Sequence, residues 1–142
     1  MVEISGVIAS TNCSSKIGTE VWVDNNCIVN CEHVDSPVAF RTTIDDTPGD
    51  RKLRIVMKHK QPTDTVVDAD GNITKDVCLS ISELVINQVP IQKFATAHAV
   101  YSHDFNGSQA PSQHRFYGDM GCNGEVAIPF STPIDLWMLD KL

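Results

Sequence analysis

The sequence predicts an all-β fold: a single-domain antiparallel β-sandwich, jelly-roll-like and with little helix, spanning residues 1–142. About nine short segments rich in β-branched and aromatic residues recur at intervals of roughly eight to fifteen residues, which is typical of sandwiches. No segment combines a sustained helical period of apolar residues with helix caps. The hydrophobic content of 42% and the charged content of 20% are those of a globular chain.

The N-terminal strands are predicted from alternation and from polar turns. Residues 2–10 alternate around Gly6, which favours a strand with a bulge at the glycine. The polar residues 24–26 separate residues 20–23 from residues 27–31, and this arrangement predicts a hairpin. The chain therefore begins with three strands.

The next two strands follow from proline, glycine and apolar spacing. Pro37 begins residues 37–44, and a strand tolerates the missing N–H at its first position. The turn at residues 45–50 leads into residues 52–59, whose alternate apolar side chains face the core. The other face is predicted to be solvated and carries the basic residues Lys52, Arg54, Lys58 and Lys60.

The C-terminal half continues the pattern around one long irregular segment. Residues 78–84 alternate, and Asn87 can then turn the chain in the left-handed conformation. Residues 94–103 alternate loosely and are predicted as a strand, whereas the glycine-rich residues 104–124 are predicted as a loop. The last two predicted strands are residues 125–130 and 133–139.

Charge and hydropathy restrict the classes of partner. The net charge of -7 disfavours nucleic acid, because binding there depends on neutralising phosphates. No window approaches the roughly eighteen apolar residues of a membrane span, and the N-terminus lacks the pattern of a signal peptide. Five cysteines without a signal peptide favour free thiols in a reducing cytosol. The expected partners include neither nucleic acid nor membrane.

An acidic segment between two predicted strands is a candidate cation site. Oxygen ligands grouped around a glycine suit Ca²⁺, which takes six to eight oxygens. An EF-hand is excluded, because aligning Gly71 with the glycine of that loop puts valines at the first and last ligand positions. A simple hairpin turn at Asp70-Gly71 explains the same residues without a metal and is preferred. The candidate calcium ligands are Asp64, Asp68, Asp70 and Asp76.

The long loop and the residue before it carry the candidate binding side chains. Loops of this length in a small domain are often functional. Tyr117 and Phe116 are expected to offer exposed rings, whereas Trp137 is expected to pack in the core. No sequence signature of a hydrolase or a metalloprotease is present, so an enzyme is not expected. The candidate binding residues are Tyr117, Phe116, His103, Asp104 and His114.

Several segments resemble small β-sandwich structural and accessory proteins of tailed bacteriophages. The resemblance covers about the C-terminal two-thirds and rests on HKQPTDTVVDADGNITKD, LSISELVINQVPI, HDFNG, YGDMGCNGEVAIPF and TPIDLWMLDKL. It implies a non-enzymatic virion accessory protein, made in the host cytoplasm, that serves as a capsid decoration, neck or tail-attachment module. Its partners would be other virion proteins or further copies of itself in a homo-oligomer.

Two other functions are retained as alternatives. The aspartate-bearing loop after a strand also resembles calcium-dependent carbohydrate-binding modules, in which Ca²⁺ held by residues 64–76 would contact a glycan. A third hypothesis is a small hydrolase that uses the histidines and aspartates of residues 103–119.

Overall fold

A computed structural model describes residues 1–142 and contains thirteen strands, two α-helices and one 3₁₀ turn. The strands are β1 Val2–Ser10, β2 Gly18–Val23, β3 Asn26–Cys31, β4 Val38–Ile44, β5 Gly49–Lys58, β6 Val66–Val67, β7 Ile73–Lys75, β8 Leu79–Ile86, β9 Val89–Pro90, β10 Val100–His103, β11 Ser112–Arg115, β12 Asp119–Met120 and β13 Gly124–Thr132. The helices are α1 Gln92–His98 and α2 Ile134–Lys141, and the 3₁₀ turn is Pro62–Asp64.

Two antiparallel sheets form a sandwich, and a small hairpin stands apart from both. The first sheet has the order β12-β8-β1-β4, with β9 pairing β8. The second has the order β11-β10-β13-β5-β2-β3, and β6 with β7 forms the separate hairpin. All the strand pairings are antiparallel. The antiparallel β-sandwich with little helix predicted from the sequence is confirmed.

The core contains one cluster of 28 buried apolar residues contributed by both sheets. Alternate residues of β1 and β5 are buried, as a strand with one inward face requires. Gly6 allows a close approach in this core, since a Cβ there would lie 2.7 Å from the ring of Phe40. The pairing of β1 with β8 shifts register between Ser5 and Val7, so the bulge expected at the glycine is confirmed.

Residues 94–103 do not form the single strand that loose alternation predicts. Helix α1 covers residues 94–98, the first half of this segment, and only the last four residues form β10. Over seven residues an apolar pattern fits either period, and tertiary contacts decide between them. Here Phe94 and Ala95 are buried, and the Gln92 amide donates to the carbonyl of Ile81 at 2.9 Å. These contacts stabilise the helix at this position.

The predicted final strand at residues 133–139 is also wrong, because this segment is helix α2. Ile134 and Trp137 are the buried residues of the helix, and their spacing of three places them on one helical face. The backbone N–H of Ile134 donates to the Asp46 carboxylate at 2.8 Å, which satisfies one of the free donors at the helix start. Trp137 is 5% exposed, so its expected core packing is confirmed. Neither helix is long and apolar enough to cross a membrane.

The two segments interpreted as loops contain more structure than the sequence indicates. Residues 104–124 include β11 and β12, which belong to different sheets. In the acidic segment, β6 and β7 pair across a turn in which Gly71 has φ of 85°, so the hairpin turn at Asp70-Gly71 is confirmed. Asn87 has φ of 47°, as expected for its turn. The prediction that Lys60 lies on a solvated face is wrong, because its side chain is 1% exposed.

Candidate functional site

Three aromatic rings meet at the edge of the six-stranded sheet, where β10 pairs with β11. The imidazoles of His103 and His114 stack with centroids 4.3 Å apart and planes 22° from parallel. The Phe105 ring meets both edge to face, 4.6 Å from His103 and 5.2 Å from His114. We call His103, Phe105 and His114 the ring cluster. Diagonal neighbours across two strands lie within reach of aromatic side chains, so the strand pairing brings the two histidines together.

A buried tyrosine and a glycine fix the ring cluster from beneath. The Tyr101 ring lies 4.5 Å from that of His103, and Tyr101 is 6% exposed. Its hydroxyl accepts from the N–H of Cys122 at 2.8 Å and donates to the carbonyl of the same residue. Burial raises the pKa of Tyr101 above its usual range, so the hydroxyl stays protonated. Gly124 lies opposite His103, and a Cβ there would collide with the Ser102 carbonyl.

The backbone around Phe105 is in a conformation that bulky residues rarely adopt. Phe105 has φ of 53° and Asn106 has φ of 58°, both in the left-handed region. This conformation costs a non-glycine residue about 1–2 kcal/mol. The turn is closed by two bonds: the Phe105 N–H donates to His103 Nδ1 at 3.1 Å, and the Gly107 N–H donates to Asp104 at 2.8 Å. Phe105 nevertheless stays 38% exposed.

The imidazole of His103 is held in its neutral form. Burial is the main cause that lowers its pKa, and the neighbouring His114 adds to this effect against the opposing charge of Asp104. Because Nδ1 accepts from the Phe105 N–H, the proton of the neutral ring is assigned to Nε2. Nε2 makes no hydrogen bond within the chain. Since every buried side-chain nitrogen or oxygen has a partner, Nε2 must be accessible to solvent. His103 therefore presents a free donor at the surface.

Phe116 and Tyr117 have opposite surroundings although they are adjacent. Phe116 is fully buried, which corrects the expectation that it offers an exposed ring. Tyr117 is 74% exposed, and the Arg115 guanidinium lies 5.0 Å from its ring centroid. Successive side chains of an extended backbone point to opposite faces, and here the inward face takes the phenylalanine. Tyr117 makes no ring contact with the ring cluster, so the five candidate residues do not form one site.

The same region contains one contact of a kind found in hydrolases. The Ser112 hydroxyl lies 2.8 Å from Nε2 of His114. A nucleophile and base of this type need a third group that orients the imidazole. No hydrogen bond is made to Nδ1 of His114, and Asp104 is engaged by the Gly107 N–H. Asp119 pairs with Ser80 in the other sheet. The hydrolase hypothesis stays a prediction.

The candidate calcium ligands bond to their own neighbours and not to a common centre. The Asp64 carboxylate accepts from the N–H of Gln61 at 2.7 Å. Asp68 Oδ1 accepts from the N–H groups of Asp70 and Asn72, both at 2.9 Å. No group of three or more His, Cys, Asp or Glu side chains is placed to hold a metal ion. Since Ca²⁺ takes six to eight oxygens, the four predicted ligands do not fit it in this arrangement.

The fourth candidate ligand, Asp76, already binds a cation of the chain itself. Lys60 Nζ donates to Asp76 Oδ1 and to the Gly121 carbonyl, both at 2.6 Å. The same carboxylate oxygen accepts from the Thr65 hydroxyl at 2.8 Å and the Val77 N–H at 2.9 Å. Burial opposes ionisation of Asp76, but these hydrogen bonds outweigh it and the pKa is lowered. An ammonium group thus occupies the position beside Asp76 that the candidate calcium ion would need.

Comparison with known proteins identifies the fold only. No protein family matches the sequence, and no curated protein matches it. The SeMet form of vCBM60, from work on two families of calcium-dependent carbohydrate binding modules, has a TM-score of 0.56 and 11% identity over 90% of each chain. The structure of vCBM60 in complex with galactobiose has a TM-score of 0.51 and 13% identity, over 89% of this chain and 96% of that one. The shared feature is the sandwich.

We expect added Ca²⁺ to leave the melting temperature of the protein unchanged, because the aspartates of residues 64–76 do not converge on one centre. A ligand that binds the folded state raises its stability, so thermal melts with Ca²⁺ and with EDTA measure the effect directly. Asp70→Ala serves as the matched variant. A rise in melting temperature with Ca²⁺ that is absent in this variant would show that the acidic segment does bind calcium.

Phe105 is the residue of the ring cluster that sequence reasoning missed. The candidate residues included the histidines on both sides of the loop but not the phenylalanine between them. The sequence does indicate its exposure, because Phe105 directly precedes the turn residues Asn106-Gly107. An aromatic residue in such a turn has no core to pack into. Its left-handed backbone and its exposure are properties of the folded loop.

Proposed function

We propose that this chain is a non-catalytic carbohydrate-binding module whose glycan contact is the ring cluster. The observation that carries this proposal is the position of Phe105, a residue that is 38% exposed and has a backbone φ of 53°. Strained backbone of this kind is concentrated at functional sites, because stability alone would select a glycine there. A strained loop that exposes a phenylalanine is best explained by a contact made with a ligand.

The chemistry of the ring cluster suits a sugar. One face of a pyranose ring consists of C–H groups that pack on aromatic rings, while its hydroxyls need donors and acceptors at the rim. Phe105 and the stacked imidazoles supply the aromatic surface, and Nε2 of His103 supplies a free donor. Asp104 adds a carboxylate next to the rings. The likeness of the fold to a structure in complex with galactobiose supports this class of ligand.

We expect Phe105→Gly to weaken glycan binding about ten-fold while leaving the melting temperature equal or higher. Glycine removes the ring and adopts positive φ without strain, so the fold does not depend on the residue that is removed. A ten-fold loss corresponds to about 1.4 kcal/mol, the upper end of one aromatic contact. Binding would first be detected on an array of hexose and pentose oligosaccharides that includes galactobiose, and then measured by calorimetry.

Two controls separate the role of the ring from general damage. Phe105→Trp keeps an aromatic surface and should keep the affinity, while Tyr117→Ala removes an exposed ring outside the ring cluster and should have little effect. Failure of the wild-type protein to bind any oligosaccharide on the array would overturn the proposal. Equal affinity of Phe105→Gly and wild type would move the contact away from the ring cluster.

The virion accessory role stays a prediction from the sequence. The comparisons give no support to a phage origin, and they concern carbohydrate-binding modules. Self-assembly, binding to virion proteins and location in the virion depend on that same hypothesis. Sedimentation of the purified protein with and without an oligosaccharide would test the two functions side by side.

A further inference from the structure

A cavity with aromatic lining residues lies at the far end of β13, where α1 and α2 pack against the six-stranded sheet. An open cavity of about 390 Å³ is lined there by the rings of Phe94, Phe130 and Trp137. Cavities for small ligands measure roughly 300–1,000 Å³, so this one is large enough for a monosaccharide unit. The ring centroid of Trp137 is 4.9 Å from that of Phe94 and 6.2 Å from that of Phe130, both edge to face.

The indole of Trp137, a residue that lines this cavity, has a hydrogen-bond donor that the chain itself does not use. Trp137 is 5% exposed, and its Nε1 makes no hydrogen bond within the chain. Because no fully buried side-chain nitrogen or oxygen lacks a partner, Nε1 must reach the surface. Buried tryptophans usually bond this group, so an unused N–H on a residue that lines the cavity favours a ligand with an acceptor.

Polar groups with both donor and acceptor capacity surround the rings. Asp50 supplies a carboxylate, Ser131 a hydroxyl and Lys141 an ammonium group, and the His98 ring lies 4.7 Å from that of Phe94 with the planes tilted by 38°. Lys141 lies 3.3 Å from Asp140, which offsets its charge. A rim of mixed charge favours a neutral ligand with many hydroxyls over a strongly charged one. Phe94, Phe130 and Trp137 are each no more than 8% exposed, and their accessible parts form a small apolar floor beneath this rim. Such a combination suits the apolar face and the hydroxyls of a hexopyranose.

We propose that this cavity is a second glycan-binding site, which takes a neutral hexopyranose unit. The inference rests on the proposed carbohydrate-binding function but uses a different surface. Strand β13 pairs with His103 at Gly124 and with Asp50 at Ser131, so the strand connects the two sites. About seven residues at roughly 3.4 Å each place them about 24 Å apart. The two sites therefore contact separate units of one long chain or two chains.

Two linked sites change how the protein binds a polymer. After one site is occupied, the second contact is intramolecular, and avidity can exceed either single affinity by 10²-fold or more. A short oligosaccharide reaches one site at a time and shows only the single affinities. The expected signature is weak binding of galactobiose with two sites per chain, together with at least about 100-fold tighter binding of a galactan polymer.

The test compares Trp137→Phe with Phe105→Gly. Calorimetry measures the binding of galactobiose, or of the disaccharide that the array selects, and retention on the corresponding polysaccharide measures polymer binding. Trp137→Phe keeps an aromatic ring in the core and removes the N–H. Asp50→Ala, a change at an exposed position, tests the same site if Trp137→Phe lowers the melting temperature. We expect two sites in wild type, with the cavity site weakened about ten-fold in Trp137→Phe and the ring-cluster site weakened about ten-fold in Phe105→Gly. Polymer binding should fall about ten-fold in each single variant and about 100-fold in the double variant.

The outcomes separate the two proposals. One site per chain in wild type, with Trp137→Phe and Asp50→Ala unchanged and Phe105→Gly weakened, overturns the second site and leaves the proposed function intact. Loss of binding in Trp137→Phe and Asp50→Ala, with Phe105→Gly unchanged, supports the cavity and contradicts the ring cluster. Absence of any glycan binding overturns the function and the second site together.

Discussion

Phe116→Ala is expected to lower the free energy of unfolding by about 3–5 kcal/mol, because it removes a fully buried ring and leaves a cavity that the sandwich fills only in part. Phe116 belongs to the cluster of 28 buried residues that both sheets share. For a domain of this size, a loss of that order takes a large share of a total stability of about 5–15 kcal/mol. Urea unfolding of the variant and the wild type measures the difference, provided that both transitions are two-state.

The neighbouring residue provides the matched control. Tyr117→Ala should change stability by no more than about 0.5–1 kcal/mol, since the ring is 74% exposed and its main contact is the Arg115 guanidinium at the surface. Folded Phe116→Ala should bind glycan with the wild-type affinity. Unchanged stability together with weakened glycan binding in Phe116→Ala would contradict the buried placement and restore the sequence-based expectation of an exposed ring.

Lys60→Met should destabilise the protein by about 2–4 kcal/mol at neutral pH. Methionine fills most of the space of the lysine stem but leaves the Asp76 carboxylate without its cation and the Gly121 carbonyl without its donor. Lys60 is 1% exposed and Asp76 is 32% exposed, so solvent compensates the carboxylate only in part. Chemical unfolding at pH 7 measures this loss. Arg41→Gln, which breaks an ion pair whose arginine is 72% exposed, should change stability by less than about 1 kcal/mol.

The pH dependence of this loss distinguishes the ion pair from simple packing. The pKa of Asp76 is lowered in the folded state, so its contribution is present above the unfolded value of about 3.9 and is lost as pH falls through the folded pKa. The difference between Lys60→Met and wild type should therefore shrink below about pH 4. A difference that stays constant from pH 7 to pH 3 would show that the packing of the lysine stem, and not its charge, stabilises this region.

Alternation located the long strands because each has one face in the core and one in solvent. The hairpin of β2 and β3, the strand β5 and the turn at Asn87 follow directly from residue order. The short helices α1 and α2 did not follow, since seven or eight residues carry too little periodicity to exclude a strand. Their buried residues, Phe94 and Trp137, were placed by packing against β13.

The candidate site was predictable only in part. His103 and His114 were recognised as polar residues in a long loop, but their ring contact at 4.3 Å depends on the pairing of β10 with β11. Asp76 was a candidate calcium ligand, and it instead pairs with a lysine that lies sixteen residues earlier in the sequence. Local sequence cannot indicate which cation a carboxylate meets, because the partner arrives through the fold of a different segment.

The sequence by itself determined the sandwich and the inward faces of its long strands, because hydrophobic burial acts on each strand through its own two-residue period. The tertiary structure alone decided which rings reach solvent and which cation binds Asp76. It also decided that Phe105 lies near one end of β13 and Trp137 near the other. These features depend on contacts between residues far apart in the chain. Such contacts are made by packing and strand register, which no local pattern encodes.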